Sequence, residues 1–391
     1  MPISQKGYLE SGINSTCFGC EACVQVCPQN CIKLEYSFNR FWYPVIDVEK
    51  CNDCGLCKKV CPYDKTESIL NISDAQAAYA ARTRDNDILS QSTSGGMFTE
   101  LAKPVLKEGG VVFGAVLTDD FKVIHRSAAN IGQLAPMRGS KYVQSRIGQT
   151  YKEAKEYLEK GRPVLFTGTP CQIAGLTTFL GKNYDNLTTV DVICHGVLSS
   201  DVAAYHIKAL EQEFRTRATK VKFRNKQHGW KKSLAFTVDF ENGARYCRGG
   251  KEDRFFNMFL SNYDLRECCY ACPFTRTTRP GDITLGDFWG LEKTKPHLFD
   301  DKGYSFILLN RSKGKKLFSK ITDKIFYEIT AIEQCNQPNL QSPTEPDIWR
   351  NSFLKSIKKR GFEQTIEYFY KPRPLWKKGI RYFQRRLKKV F

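Results

Sequence analysis

CFGCEACVQVCP (residues 17–28) returns as CNDCGLCKKVCP (residues 51–62), so a C-x2-C-x2-C-x3-C-P run occurs twice, every cysteine offset by 34 residues. Three cysteines at that spacing wrap one face of a four-iron cube, and a fourth before proline reaches the neighbouring cube where two are present. The duplication assigns one 4Fe-4S cluster to Cys17, Cys20, Cys23 and Cys61, and a second to Cys51, Cys54, Cys57 and Cys27. Zinc sites more commonly use two separated C-x2-C pairs, which makes zinc the weaker reading. Pro28 and Pro62 end the ligand loops, and Cys31, outside the pattern, reads as a small buried side chain. Between the runs, IKLEYS and FWYPVIDVE predict two short strands closing a hairpin. That fits a small ferredoxin-like module over residues 1–70.

With 391 residues, 41% hydrophobic and 13% aromatic, the chain is long enough for two or three domains with packed cores. No apolar run of about 18 residues is present to span a bilayer, and MPISQKGYLESGINST lacks the layout of a signal peptide. The expectation is a cytoplasmic protein, where sixteen cysteines point to metal or redox sites rather than disulfides. Nine of the sixteen lie between Cys17 and Cys61.

The formal charge is +19, and residues 371–391 hold nine Lys or Arg and no acidic residue. Charge of this sign attracts nucleic acid, anionic lipid or an acidic redox protein. No recognised nucleic-acid module accompanies it, so no specific nucleic-acid partner is expected. Within the tail, Trp376, Ile380, Phe383, Leu387 and Val390 form an apolar stripe on a basic helix. That pattern suits peripheral contact with the cytoplasmic face of a membrane, and equally a helix packed on its own domain.

Residues 71–91 are polar and Ala-rich without an apolar stripe and read as a linker. A mixed α/β domain over 92–340 follows. STSGGMFTELAKPVLKEGG predicts a Ser-capped, Gly-opened helix that Pro104 should kink or end. VVFGAVLTDDFKVIHRSA predicts a β-hairpin, GRPVLFTGTPCQIAGLTTFL a buried strand, a turn and a helix, and TTVDVICHG a second buried strand. SLAFTVDFENGARYCR predicts a hairpin turning at Asn242-Gly243. Ligands in such sheets collect at the carboxyl ends of strands, where TGTPCQ and CHG fall.

Cys171, Cys194, Cys269 and Cys272 remain as a set that could close a third site, for a cluster or for zinc, with Cys268 an alternative to Cys269. His195 reads first as a core histidine, with an acid or flavin-contacting role as the alternative, and Cys247 and Cys335 read as packed thiols. STSGG and TGTP offer backbone N–H groups and hydroxyls to a phosphate or a flavin edge. Neither G-x-G-x-x-G after a strand nor G-x4-G-K-[ST] is present, which argues against a standard dinucleotide fold or a P-loop.

STSGGMFT, RGSKYVQS, LFTGTPCQIAGL, VDVICHGV, FRNKQHGWK, LRECCYACPF, DITLGDFWG and GYSFILLN, running in this order from Ser92 to Asn310, carry a resemblance. The chain resembles the beta subunit of coenzyme F420-reducing hydrogenase and its dehydrogenase relatives, with an N-terminal two-cluster ferredoxin domain. The resemblance implies an iron-sulfur flavoprotein that binds FAD. It places a third 4Fe-4S cluster on Cys171, Cys194, Cys269 and Cys272. It places flavin-contacting loops on Ser94, Gly95 and Gly96, on Arg138, Ser140, Lys141, Tyr142 and Gln144, and on Thr167, Gly168 and Thr169, with Asp287 in GDFWG as an addition. The chain departs from the family pattern at Pro104, at Cys268 and in the basic extension beyond about Tyr370.

Clusters move single electrons and hydride carriers move two, and a flavin joins the two kinds of traffic. The expected protein has a ferredoxin-like module, a mixed α/β flavin-binding domain and a basic helical C-terminal extension over 341–391. Its expected function is oxidoreduction, passing electrons between a ferredoxin or another redox protein, or coenzyme F420 as substrate, and an organic substrate or partner. The alternative is a non-catalytic electron-relay subunit docked to the catalytic subunit of a hydrogenase or formate dehydrogenase. No residue is singled out as catalytic.

Overall fold

The two cysteine runs share a backbone as well as a spacing. Gly19 and Asp53 are both left-handed, with φ of 65° and 51°, and so are Glu21 and Gly55, with φ of 61° and 70°. Each left-handed pair leads into one helical turn, Ala22–Val26 in the first run and Leu56–Lys59 in the second. In the computed structural model, which describes residues 6–71, 74–231 and 235–370, these loops flank the expected hairpin of β1 (Ile32–Tyr36) and β2 (Trp42–Ile46). The basic stripe of residues 376–390 lies outside the described residues.

The remaining strands are β3 (Ala77–Thr83), β4 (Val111–Leu117), β5 (Val123–Ala128), β6 (Val164–Gly168), β7 (Leu187–Val192), β8 (Ala218–Asn225), β9 (Ala235–Phe240), β10 (Arg245–Gly249), β11 (Ile283–Asp287), β12 (Ser305–Leu309) and β13 (Ile325–Thr330). Eight of them make one mixed sheet in the order β13-β3-β12-β11-β7-β6-β4-β5, with β11, β7, β6 and β4 mutually parallel. A second, antiparallel sheet has the order β10-β9-β8. The hairpin predicted at Asn242-Gly243 is β9 and β10, and the one predicted after Gly110 is β4 and β5.

Alternation along the central strands buries both faces of the large sheet, as a sheet covered on both sides requires. Val112 and Leu165 point to one face, under the helices Met97–Lys107 and Ser312–Ser319. Val111, Phe113, Val164 and Phe166 point to the other, under the helices Thr150–Glu159 and Pro170–Leu180. The small sheet packs with the helices Ser200–Phe214, Arg254–Leu260, Arg350–Arg360 and Phe362–Tyr370 in a separate apolar core.

Two expectations are corrected. The stretch 71–91 is not only a connection, because its Ala77–Thr83 is a strand between β12 and β13. Alanine is a weak strand former, so the signal was missing; Ala80 and Ala81 are wholly buried, where small side chains suit packing on both faces. The helix from Met97 is not ended by Pro104 and runs on to Lys107. A proline inside a helix costs about 3 kcal/mol, and burial of the following Val105 and Leu106, about 1.5–3 kcal/mol each, offsets it.

Strand direction then decides where ligands gather. The carboxyl ends of β6, β7 and β11 share one end of the sheet, and antiparallel pairing through β12 brings the end of β3 to the same place. Thr169–Cys171, Cys194, Asp287 and the loop 92–96 are all at that end, the position open α/β sheets use for ligands.

Candidate functional site

Beside the first cysteine run lies a cavity of about 680 Å3, counting space open to solvent, whose walls include Cys17, Cys20, Cys23, Cys57 and Cys61. Burial raises the Cys20 thiol well above its usual range, and the neighbouring Cys23, Cys61 and Cys17 raise it further. Cys23 is raised in the same way by burial and by Cys17, Cys61 and Cys57. Burial pushes Cys61 up to about 11, with Asp64 and Cys17 adding to it. Crowded thiolates in an apolar cavity are unfavourable alone and favourable around a cationic metal core, so this donor set fits an iron-sulfur cluster.

Cys27 keeps different company. Its Sγ lies 3.4 Å from that of Cys31, and it shares an apolar patch with Cys31, Cys51 and Cys57. Cys57 in turn feels Cys51 and Cys27. Cys61 thus sits with Cys17, Cys20 and Cys23 of the other run, Cys27 with Cys51 and Cys57, and Cys23 and Cys57 lie where the two groups meet. Cys54 is exposed.

Cys171, Cys194, Cys269 and Cys272 come together from three separate segments. Burial is the main cause of the rise at Cys272, followed by Cys171, Cys269 and Cys194. Cys194 is raised by burial and then by Cys269 and Cys171, and burial pushes Cys171 up to about 11. Cys268 packs with Phe18, Ala174 and Phe274. Among the described residues no three Cys, His, Asp or Glu are spaced to hold a single metal ion. One zinc ion draws its sulfurs to about 2.3 Å, whereas a four-iron cube spreads its thiolates over a larger body.

The ferredoxin-like module is locked to the large sheet beside these groups. The Glu21 carboxylate accepts from Arg146 Nε at 2.6 Å and from the backbone N–H of Ile147 and Gly148 at 3.2 and 3.1 Å. Gln25 Oε1 accepts from the Tyr151 N–H at 3.1 Å, and Thr178 Oγ1 donates to Val60 O at 2.7 Å. The rings of Phe18, next to Cys17, and Phe274, two residues after Cys272, have centroids 5.3 Å apart.

Two of the loops assigned to a flavin converge. The Ser140 N–H donates to Thr93 Oγ1 at 2.9 Å, Arg138 Nε to Thr99 Oγ1 at 3.1 Å, and Ser94 Oγ to Tyr304 O at 2.7 Å. Gly95 is required by packing, since a Cβ there would lie 2.4 Å from Ala81 O on β3 and 2.7 Å from Ser305 N on β12. Gly96 has φ of 83°. Tyr142 lies beside Arg224 and Asp287, Arg224 pairs with Asp287, and Lys226 Nζ donates to Ser94 O at 3.1 Å. Lys141 Nζ donates to Pro136 O and Arg138 O at 2.8 and 3.2 Å. Arg138, Lys141, Arg224 and Lys226 bring basic groups of the kind that suit a flavin diphosphate to this end of the sheet, with Lys141 lowered by burial to about 7, Lys226 to about 8 and Arg224 already paired with Asp287.

The third loop is joined less directly. Gly114 on β4 packs between Met137 and Thr167, Thr167 O accepts from His125 Nε2 at 2.9 Å, and Gly168 packs against Gln172. Thr169 Oγ1 lies 3.2 Å from Cys171 Sγ, on the side of the third cysteine group. Gln144 is turned the other way, its Nε2 donating to Gly19 O at 3.3 Å and its Oε1 accepting from Arg266 at 3.0 Å. His195 is a packed histidine, with Nε2 2.8 Å from Asn262 Oδ1 and its ring on Phe259. Sequence reasoning passed over Glu21, Gly175, Arg224, Lys226 and Arg266, although all five stand inside quoted motifs.

Residues 78–150 match the N-terminal part, and residues 161–334 the C-terminal part, of the coenzyme F420 hydrogenase/dehydrogenase beta subunit. The chain belongs to that beta-subunit family. Residues 16–65 of this family member match a 4Fe-4S dicluster domain. Over 84 residues, 21% of the chain, it is 34% identical to a ferredoxin from Saccharopolyspora erythraea, covering 72% of that protein. Over 53 residues, 13% of the chain, it is 38% identical to an uncharacterized protein of the rpl9-rpl11 intergenic region of Porphyra purpurea, covering 69% of it. A chain of the F420-reducing NiFe hydrogenase complex from Methanosarcina barkeri aligns over 75% of this chain and 90% of its own, at 18% identity and a TM-score of 0.43. The beta-subunit member is thus an iron-sulfur protein of an oxidoreductase family, and none of its described helices is long and apolar enough to cross a membrane.

Proposed function

We propose that the chain is an iron-sulfur flavoprotein oxidoreductase carrying electrons between a ferredoxin-type or coenzyme F420 carrier and a substrate or catalytic partner. The observation that carries this reading is the helix Pro170–Leu180, which holds Cys171 in its first turn and Gly175 one turn later, where its backbone meets Cys20. Positions i and i+4 share a helix face about 5–6 Å apart. One helical turn therefore spans a cysteine of the first ferredoxin-like group and a cysteine of the third.

Cys57 extends the series to the second group, so three groups follow one another: Cys27, Cys51, Cys54 and Cys57; Cys17, Cys20, Cys23 and Cys61; Cys171, Cys194, Cys269 and Cys272. When bound there, clusters supply single-electron steps and a flavin supplies the exchange with two-electron carriers. The chain's own part is to fix spacing through Gly175, to exclude water through Phe18, Ala174 and Phe274, and to aim cations at the flavin. Ser94, Gly95, Gly96, Arg138, Ser140, Lys141, Tyr142 and Asp287 would hold that group, with Thr167, Gly168 and Thr169 between it and the third cysteine group.

The test is anaerobic reconstitution followed by flavin and iron counts, with reduced coenzyme F420 and reduced ferredoxin added in separate runs while the flavin and cluster bands are followed. Flavin binding and bleaching by one of the two carriers are expected; a loaded protein that retains no flavin would overturn the flavoprotein assignment. The family's description as a beta subunit favours a second reading, an electron-relay subunit of a hydrogenase or formate dehydrogenase. Copurification with such a subunit, and no turnover by the isolated chain, would select it.

A further inference from the structure

Arg266 is wholly buried, and its guanidinium hydrogen bonds go to carbonyls, an amide and a sulfur. Nε donates to Cys17 O at 2.9 Å, Nη1 to Gln144 Oε1 at 3.0 Å, and Nη2 to Trp42 O at 3.0 Å and to Cys17 Sγ at 3.2 Å. Its carbon centre stands 4.2 Å over the Tyr43 ring and 5.6 Å from that of Phe41. Taking a guanidinium out of water without a counter-charge is strongly unfavourable. Cys17 is the ionisable group to which it donates a hydrogen bond, so the balancing negative charge belongs at that sulfur.

The loop is shaped to admit it. Gly19 has φ of 65°, and a Cβ there would lie 2.8 Å from Arg266 Cζ and 2.2 Å from Gln144 Nε2. The same arginine is anchored to the other cysteine group through its backbone: its N–H donates to Val197 O at 3.0 Å, and its carbonyl accepts from the Cys269 N–H at 2.8 Å. A fixed positive charge thus lies between the first ferredoxin-like group and the third, in direct contact with a ligand sulfur of the first.

We propose that Arg266 sets the reduction potential of the cluster bound by Cys17, Cys20, Cys23 and Cys61, holding it above the value its buried setting would otherwise impose. The inference rests on the cluster reading above. Reduction adds one negative charge, and a buried cation with an N–H donated to a ligand sulfur stabilises the reduced form more than the oxidised one. The effect is large because the surroundings are apolar and wet screening is absent. Arg266 acts through Cys17, as a positioning residue.

The experiment is an electron-paramagnetic-resonance potentiometric titration of the full chain with reconstituted clusters, alongside iron and sulfide counts. Arg266→Gln is expected to lower the ratio of reduced to oxidised form of one cluster about tenfold at the wild-type midpoint, about 59 mV for a one-electron couple, while the other clusters keep their midpoints. Arg266→Lys retains the charge and is expected to recover part of the shift. Gln144→Glu leaves Arg266 in place but sets a carboxylate against it, and is expected to lower the same midpoint; it decides the matter if Arg266→Gln loses iron. Full iron content with unchanged midpoints in Arg266→Gln, or in Gln144→Glu where the former does not load, overturns the proposal and leaves Arg266 a structural tie. A wild-type protein with no cluster signal would instead overturn the cluster reading itself.

Discussion

Gly175 meets Cys20 so closely that a Cβ placed on the glycine would lie 2.7 Å from Cys20 Cβ and 2.9 Å from its sulfur. In an exposed helix, Gly→Ala stabilises by about 1 kcal/mol. Here overpacking, about 1–3 kcal/mol, opposes that gain and displaces a ligand. Gly175→Ala is therefore expected to lower both the melting temperature and the iron per chain, and wild-type values for both would contradict the close contact.

The crossed grouping of cysteines makes a sharper prediction. Cys61 lies with Cys17, Cys20 and Cys23, and Cys27 with Cys51 and Cys57. Cys61→Ser is then expected to reproduce the spectroscopic loss of Cys20→Ser, and Cys27→Ser that of Cys57→Ser. Electron paramagnetic resonance of the four variants checks this, and pairing within each run, Cys27 with Cys20, would refute it.

Much of this was legible because the cysteine runs are local: spacing alone dictates which sulfurs share a cube. The buried strands β6 and β7 and the hairpins were legible for the same reason, each having its pattern within a few residues. β3 was not, since its four alanines gain a strand's environment only from β12 and β13. The third cysteine group was half legible, because three distant segments supply it and only the Cys269-x2-Cys272 pair is a local signal. Glu21 and Arg266 were invisible for a related reason: their partners Arg146 and Cys17 lie 125 and 249 positions away.

Glu21 holds a left-handed backbone that its counterpart Gly55 adopts without cost, and its buried carboxylate repays this by gripping Arg146, Ile147 and Gly148. Left-handed geometry costs a residue with a Cβ about 1–2 kcal/mol, while hydrogen bonds to a charged group contribute about 1.5–3 kcal/mol each, discounted here because Arg146 is partly exposed. The grip outweighs the strain. Glu21→Gly is thus expected to destabilise by about 1–3 kcal/mol despite relieving the backbone, as read by denaturant unfolding. A more stable variant would show that the strain dominates.

Asp264 offers a pH-dependent test. Its carboxyl is buried, Oδ1 accepts from Asn39 Nδ2 at 3.1 Å, and Oδ2 has no hydrogen-bond partner among the described residues. Burial pushes its pKa up to about 8, against a lowering by Asn39 and Arg350 and a small rise from Glu267. Between the unfolded value of 3.8 and about 8 the folded chain therefore binds one more proton than the unfolded chain. Stability contributed by this group is then full at low pH and falls as pH rises, by about 1.4 kcal/mol per unit, levelling above about 8. Asp264→Asn keeps the acceptor for Asn39 and replaces the acidic O–H with an amide donor that does not titrate. Relative to wild type, the variant is expected to gain stability steadily from pH 6 to pH 8 and to hold a constant advantage above. Denaturant unfolding of both proteins across that range measures the difference directly, and a difference independent of pH would mean that Asp264 is ionised in the folded chain, with Arg350 as its counter-charge.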